Sequence, residues 1–386
     1  MSKKLDVGSL KTTQEKIRFL GKAYSEGQRA YENDEQAKKE IHEINKMVYE
    51  QNREIFPLWQ ETRQWSLDYF KEIYKRVYSH FDCLYFESEM AKKGIEIVNH
   101  ALKKGILEKS EGAIVFVGKK YGLDIRVFIN SLGFPTYEGK ELALAEKEFS
   151  DFGEIDKCIH LTTPEQSSFF KVTFKVEELL DRRKKDKQYH LMYEWVNLKG
   201  GKMSSREGNV IEADWLIDEA KKKIIGLFKC SDDIAETLAI AAVKYSFLKN
   251  GVLNQIAFDF DESISIEGNS GPYLLYTYVR AQSILRKGNV ENNVIMKAMN
   301  KDEKKILQLI YRFSSVVEKS AINFSPNYIA TYLFELAQQF NLFYQKHPVL
   351  KADEETKNFR LFLTKAVGNV LKKGLDLLGI KTVEKM

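Results

Sequence analysis

The sequence predicts an α/β domain followed by an all-helical domain. Short apolar, β-branched runs alternate with helix-compatible stretches between about residues 112 and 196, the pattern of a sheet interleaved with helices. Beyond about Gly268 only helical periodicities remain. Six prolines in 386 residues leave both parts long unbroken stretches.

Residues from about Thr13 to Tyr78 are charged, polar and helix-compatible, with Pro57 the one proline among them. Ala113-Ile114-Val115-Phe116-Val117 lies between turn signals and reads as a buried strand. Ile125 to Ile129 alternates, ends at Asn130, and fits a hairpin partner for it. Cys158 to Leu161 and His190 to Val196 are two further strands. After Asn209 the chain turns helical. One helix begins at Asp214-Trp215-Leu216, and a second spans Ile234 to Asn250 with Leu238, Ala241, Ala242, Tyr245 and Leu248 on one face. A loop at Gly268 to Pro272 precedes a third. Farther on, Ile329, Leu333, Leu336, Phe340 and Phe343 form the stripe of a buried helix face.

Composition bounds the function. With 44% apolar and 30% charged residues, the chain is an ordinary globular protein. No run of about eighteen apolar residues is present, which argues against a helical membrane span. Met1 to Asp6 lacks an apolar signal core, so a cytoplasmic protein is expected. Cys83, Cys158 and Cys230 are too far apart for a zinc knuckle or a disulfide framework and read as free thiols. From Ile266 to Met386 there are 18 Lys and Arg against 11 Asp and Glu; the rest of the chain carries 42 against 44. The basic C-terminal third suits a phosphate backbone, and equally an ordinary solvated helical surface.

The chemistry concentrates in Gly201-Lys202-Met203-Ser204-Ser205-Arg206-Glu207-Gly208-Asn209. Glycines let the backbone approach a polyphosphate, while Lys, Ser and Arg donate to its charge. A loop between a strand and a helix is a suitable seat for an anion. The string resembles the Lys-Met-Ser-Lys-Ser signature of class I aminoacyl-tRNA synthetases. Its flanks, Tyr193 to Lys199 and Ala213 to Ala220, resemble the arginyl-tRNA synthetases in particular. The usual signature lysine is replaced by Ser205, followed by Arg206, a departure many arginyl enzymes share.

The resemblance implies an incomplete Rossmann-like nucleotide-binding catalytic domain over residues 1–265 and a helical anticodon-binding domain over 266–386. Lys202, Ser204, Ser205 and Arg206 would be catalytic, and Gly201, Lys202 and Met203 would bind ATP. His160 would lie on the adenosine side, with a core histidine the equal alternative. In Pro135 to Leu144, which resembles the family's substrate segment, Tyr137 and Glu141 would bind arginine, with Gln166 nearby. A guanidinium needs a carboxylate, preferably bidentate and partly buried; the family usually has aspartate where Glu141 stands. Gly268 to Arg280 resembles the entry to the anticodon-binding domain. There Tyr276 and Arg280 lie four apart, on one helix face. With Asn341, Tyr344 and Met386 they would contact tRNA, since unstacked bases stack on rings and phosphates take guanidinium bonds.

The implied reaction is ATP-dependent, Mg²⁺-assisted formation of arginyl-adenylate and transfer to the 3′ end of tRNA(Arg). The family's His-x-Gly-His signature is not formed by His42, His80, His100, His160, His190 or His347. A truncated gene, a split enzyme with a separate N-terminal fragment as partner, or a degraded paralogue would each account for this. The chain alone is then expected to be inactive. The rivals are a non-catalytic tRNA-binding module and another class I synthetase, such as a cysteinyl type.

Overall fold

The computed structural model describes residues 10–199, 212–289 and 299–386. They fall into two compact units, residues 1–82 with 203–214, and residues 83–202 with 215–386. The signature loop 201–209, with Gly201, Lys202, Met203, Ser204, Ser205 and Arg206, lies outside the described residues.

The first unit is built of helices. α1 (Thr13–Asn33) starts at a capping box in which Thr12 and Glu15 satisfy each other's backbone N–H groups. Asp34 ends α1 and caps α2 (Glu35–Tyr49). α3 (Phe56–Arg76) opens with Pro57, where the missing N–H costs nothing.

The second unit begins with α4 (Glu87–Lys103) and an antiparallel sheet of β1 (Glu108–Ser110), β2 (Ala113–Val117) and β3 (Ile125–Ile129). β2 and β3 have the limits expected from sequence and pair as the expected hairpin. α5 (Tyr137–Asp151) follows. It crosses α4 so closely that a Cβ on Gly94 would lie 2.5 Å from the Gly139 carbonyl oxygen. Gly94 permits this approach, Gly139 lets α5 lie equally close to the Phe128 carbonyl of β3, and the core behind holds Ile97, Val98, Phe116, Phe128 and Leu142.

β4 (Cys158–Thr162) leads to α6 (Ser167–Leu180), and β5 (Gln188–Met192) returns parallel to β4. The single strand expected over His190 to Val196 is two strands. At Tyr193–Trp195 the chain leaves β4, and β6 (Val196–Leu198) pairs with the distant β7 (Ile256–Phe258).

α7 (Ala213–Phe228), α8 (Asp232–Leu248) and α9 (Phe260–Ile264) carry the chain onward. α10 (Gly271–Lys287), capped by Ser270, α11 (Lys301–Ile322), α12 (Asn327–Lys346) and α13 (Glu354–Leu377) complete it. The expected change from α/β to helices alone is borne out. The stripe of α12 is buried throughout, Phe340 and Phe343 included, and Tyr278 is buried with it. No helix among the described residues is long and apolar enough to cross a membrane.

Candidate active site and nucleic-acid interface

A cavity of about 520 Å³ opens at the C-terminal end of β4, where open parallel sheets hold ligands. α5 supplies Tyr137, Glu138 and Glu141. The turn after β4 supplies Glu165 and Gln166. Phe169 and Phe170 of α6 form an apolar wall. Tyr137, Glu141 and Gln166, expected together from sequence, therefore line one cavity. Tyr137 stands at its rim, 70% exposed.

The charges around the cavity are mostly matched. Arg126 of β3 donates to Glu138 at 3.2 Å, and Lys140 donates to Glu87 of α4. Glu165 is exposed to solvent, and Glu141 is the enclosed exception. Its Oε1 is buried without a hydrogen-bond partner, and the His160 ring nitrogen Nδ1 stands 3.5 Å away. Burial pushes the Glu141 carboxyl up to about 7, and the neighbouring Glu148 charge adds to it. A cation entering the cavity would relieve both effects, because an ionised carboxylate gains most from a partner where water is scarce.

His160 does not line this cavity. It sits behind Glu141, its ring tilted against those of Phe170 and Phe174, with Nε2 2.9 Å from Gln188 Oε1. The sequence held no signal for the Arg126–Glu138 pair or for the wall of Tyr85, Phe86 and Met90, which tertiary packing assembles.

A second cluster lies in the helical bundle. Arg280 of α10 donates to Tyr276 Oη at 2.8 Å and to Asn341 Oδ1 at 2.6 Å. Its guanidinium also lies over the Tyr276 and Tyr344 rings, at 4.6 and 5.3 Å. Asn341 is buried, and its amide donates to Tyr273 Oη and Thr277 Oγ1. It therefore holds Arg280 in place instead of facing solvent. Tyr344 and Met386 remain exposed. The result is a guanidinium fixed between two rings, suited to stacking and phosphate contact.

Known proteins match this arrangement. Residues 6–260 match the family model "tRNA synthetases class I (R), catalytic domain", and residues 274–386 match the DALR anticodon binding domain. An arginine–tRNA ligase of Flavobacterium psychrophilum is 34% identical over 346 residues, covering 86% of this chain and 58% of its own length. One from Bdellovibrio bacteriovorus is 33% identical, covering 96% of this chain and 67% of its own. The chain thus spans roughly three-fifths to two-thirds of the length of these curated relatives. The arginyl-tRNA synthetase of Thermus thermophilus has the same fold, with a TM-score of 0.84 at 24% identity over 98% of this chain and 72% of that one. That of Plasmodium falciparum gives 0.75 at 21% identity over 91% of this chain and 62% of that one. By the span of the family model and the identity to its relatives, this chain belongs to the arginyl-tRNA synthetase family of class I aminoacyl-tRNA synthetases.

Proposed function

We propose that the chain is part of an arginine–tRNA ligase and, together with a separate N-terminal synthetase fragment, carries out ATP-dependent activation of L-arginine and transfer of the arginyl group to tRNA(Arg). The observation that supports this most is Glu141. It is a buried carboxyl with an unpartnered oxygen beside a cavity in which Arg126 is paired with Glu138 and Lys140 with Glu87. A guanidinium is always charged and meets a carboxylate through two parallel donors. Glu141 would take that partner. Gln166 would add a neutral hydrogen bond, and Tyr137 would close the rim.

In the first step an oxygen of the arginine carboxylate attacks the α-phosphorus of ATP, and pyrophosphate leaves. In the second, a hydroxyl at the 3′ end of tRNA attacks the carbonyl carbon, loses its proton, and AMP leaves. Such transfers depend mainly on positioning and on donors aimed at developing charge. Lys202, Ser204, Ser205 and Arg206 would take that role toward the phosphates, with Gly201, Lys202 and Met203 binding ATP. His160 reaches the site through Glu141. Mg²⁺ enters with the triphosphate as part of the substrate. The one three-donor cluster among the described residues includes a thiol and an imidazole, which do not suit so hard an ion.

Residues 1–265 would hold the reaction and 266–386 the anticodon arm, with Tyr276, Arg280, Tyr344 and Met386 facing RNA. The reaction would take place in the cytoplasm. ATP–pyrophosphate exchange, measured with tRNA and each amino acid, tests the reading. The chain alone is compared with the chain plus a separately supplied N-terminal synthetase fragment. Exchange confined to arginine is expected once the fragment is present. Exchange with another amino acid refutes the arginine assignment. Salt-dependent tRNA binding without exchange in either arm leaves the tRNA-binding module instead.

A further inference from the structure

Behind the cavity, α5, α6, β4 and β5 enclose a cluster that the ligase reading leaves unused. Cys158 and His160 are two apart on β4 and share one face. Glu148 approaches from α5. Cys158 Sγ is 3.5 Å from Glu148 Oε2 and 3.5 Å from His160 Nε2. The three donor atoms all lie within 4.8 Å of one another.

The two separations from sulfur are those of ligands around a common ion. Zinc bonds of about 2.3 Å to sulfur and about 2.0 Å to nitrogen or oxygen, at tetrahedral angles, set such donor pairs about 3.5 Å apart. Thiolate, imidazole and carboxylate together also suit zinc better than magnesium or calcium.

Two further observations point to a cation. The first is the other side of the His160 ring. With Nε2 toward the cluster, Nδ1 faces the Glu141 carboxylate at 3.5 Å. The two make no hydrogen bond at that distance, but a zinc ion on Nε2 would leave the ring proton on Nδ1, on the side of the Glu141 carboxylate, as in carboxylate–histidine–metal arrangements. The second is the surplus of buried acid. Glu177 is 1% exposed, and its Oε1 has no hydrogen-bond partner. Glu177 Oε2 accepts from Gln188 Nε2, and Gln188 Oε1 lies 2.9 Å from His160 Nε2, which links Glu177 to the cluster. Glu141, Glu148 and Glu177 thus bring three acids to one largely enclosed cluster, where gathering like charges is costly. A divalent ion would offset that cost.

We propose that Glu148, Cys158 and His160 form a zinc site, with Gln188 Oε1 the nearest oxygen for the fourth position and Glu141 the outer carboxylate on the histidine ring. Binding releases the Cys158 thiol proton to solvent, so it strengthens as pH rises. The site stands on these residues alone and does not depend on which amino acid the neighbouring cavity takes.

The test uses the full chain, freed of metal by chelation. Zn²⁺ is titrated by calorimetry, and Co²⁺ by its thiolate charge-transfer absorption. One zinc per chain and a cobalt–thiolate band are expected. Both should survive the double change Cys83→Ser with Cys230→Ser, and the band should vanish in Cys158→Ser. Glu141→Gln should weaken zinc binding about 10- to 100-fold without removing the band, as loss of an outer carboxylate does. Each variant is checked by thermal melting. If Cys158→Ser does not fold, Glu148→Gln takes its place and must weaken zinc binding. No zinc taken up, a band that persists in Cys158→Ser, or unchanged affinity in Glu148→Gln overturns the site.

Discussion

Replacing Glu141 by glutamine perturbs stability and ligand response in ways that can be worked out together. Burial raises the carboxyl from 4.5 to about 7. Between those values the folded chain holds a proton that the unfolded chain has released, so stability falls as pH rises through the window. At about 1.4 kcal/mol per pH unit of displacement, wild type loses about 2.5 kcal/mol at this site between pH 5 and pH 8. Glutamine keeps the shape and does not titrate. Glu177, also raised by burial, to about 8, titrates in both proteins and largely cancels in the difference. Urea unfolding of the metal-free chains at pH 5 and pH 8 should therefore show the variant gaining about 2.5 kcal/mol on wild type. Arginine should oppose that gain. At pH 8, saturating L-arginine should raise the unfolding midpoint of wild type and leave that of Glu141→Gln unmoved. Equal pH dependence in the two proteins, or equal stabilisation by arginine, refutes the assignment of Glu141 as a desolvated guanidinium acceptor.

Other positions give sharper, smaller tests. Gln166→Ala should weaken arginine binding by about 1 kcal/mol, the worth of a neutral hydrogen bond, without changing the pH dependence of unfolding. Arg280→Ala should lower tRNA affinity and reduce the slope of log affinity against log salt by about one, because one phosphate-directed cation is lost; an unchanged slope places Arg280 off the RNA. Gly94→Ala drives a methyl to 2.5 Å from the Gly139 carbonyl oxygen and should cost about 1–3 kcal/mol in urea unfolding. Gly21→Ala, on α1 with nothing within 4 Å, should instead stabilise by up to about 1 kcal/mol.

How far the sequence discloses this molecule depends on how local each signal is. β2 and β3 are bounded by turn residues and filled by apolar, β-branched side chains, so their limits are visible at once. β1 is three polar, exposed residues and carries no such pattern. The break between β5 and β6 is invisible because no glycine or proline marks Tyr193–Trp195; the strand changes partner there, and the new partner β7 is some sixty residues away. Tyr137, Glu141 and Gln166 were legible because their segments carry a family pattern. The Arg126–Glu138 pair and the meeting of Glu148 with Cys158 and His160 were not, since each depends on how a strand packs against α5. Asn341 shows the limit of residue type as a guide. A polar residue beside an aromatic stripe was read as reaching RNA, but it is buried and bonded to Arg280, Tyr273 and Thr277.

Whether the cavity reads a guanidinium is measured most directly by calorimetric titration of the chain, with tRNA present, using L-arginine and L-citrulline in parallel. Citrulline keeps the length and near-planar shape of arginine but replaces the charged guanidinium by a neutral ureido group, with a carbonyl oxygen where arginine has an N–H donor. Binding of arginine at least about tenfold tighter than citrulline, lost in Glu141→Gln, is the predicted result, since a buried charge-assisted pair is worth about 1.5–3 kcal/mol. Equal binding of the two, or arginine binding that survives Glu141→Gln unchanged, would contradict it.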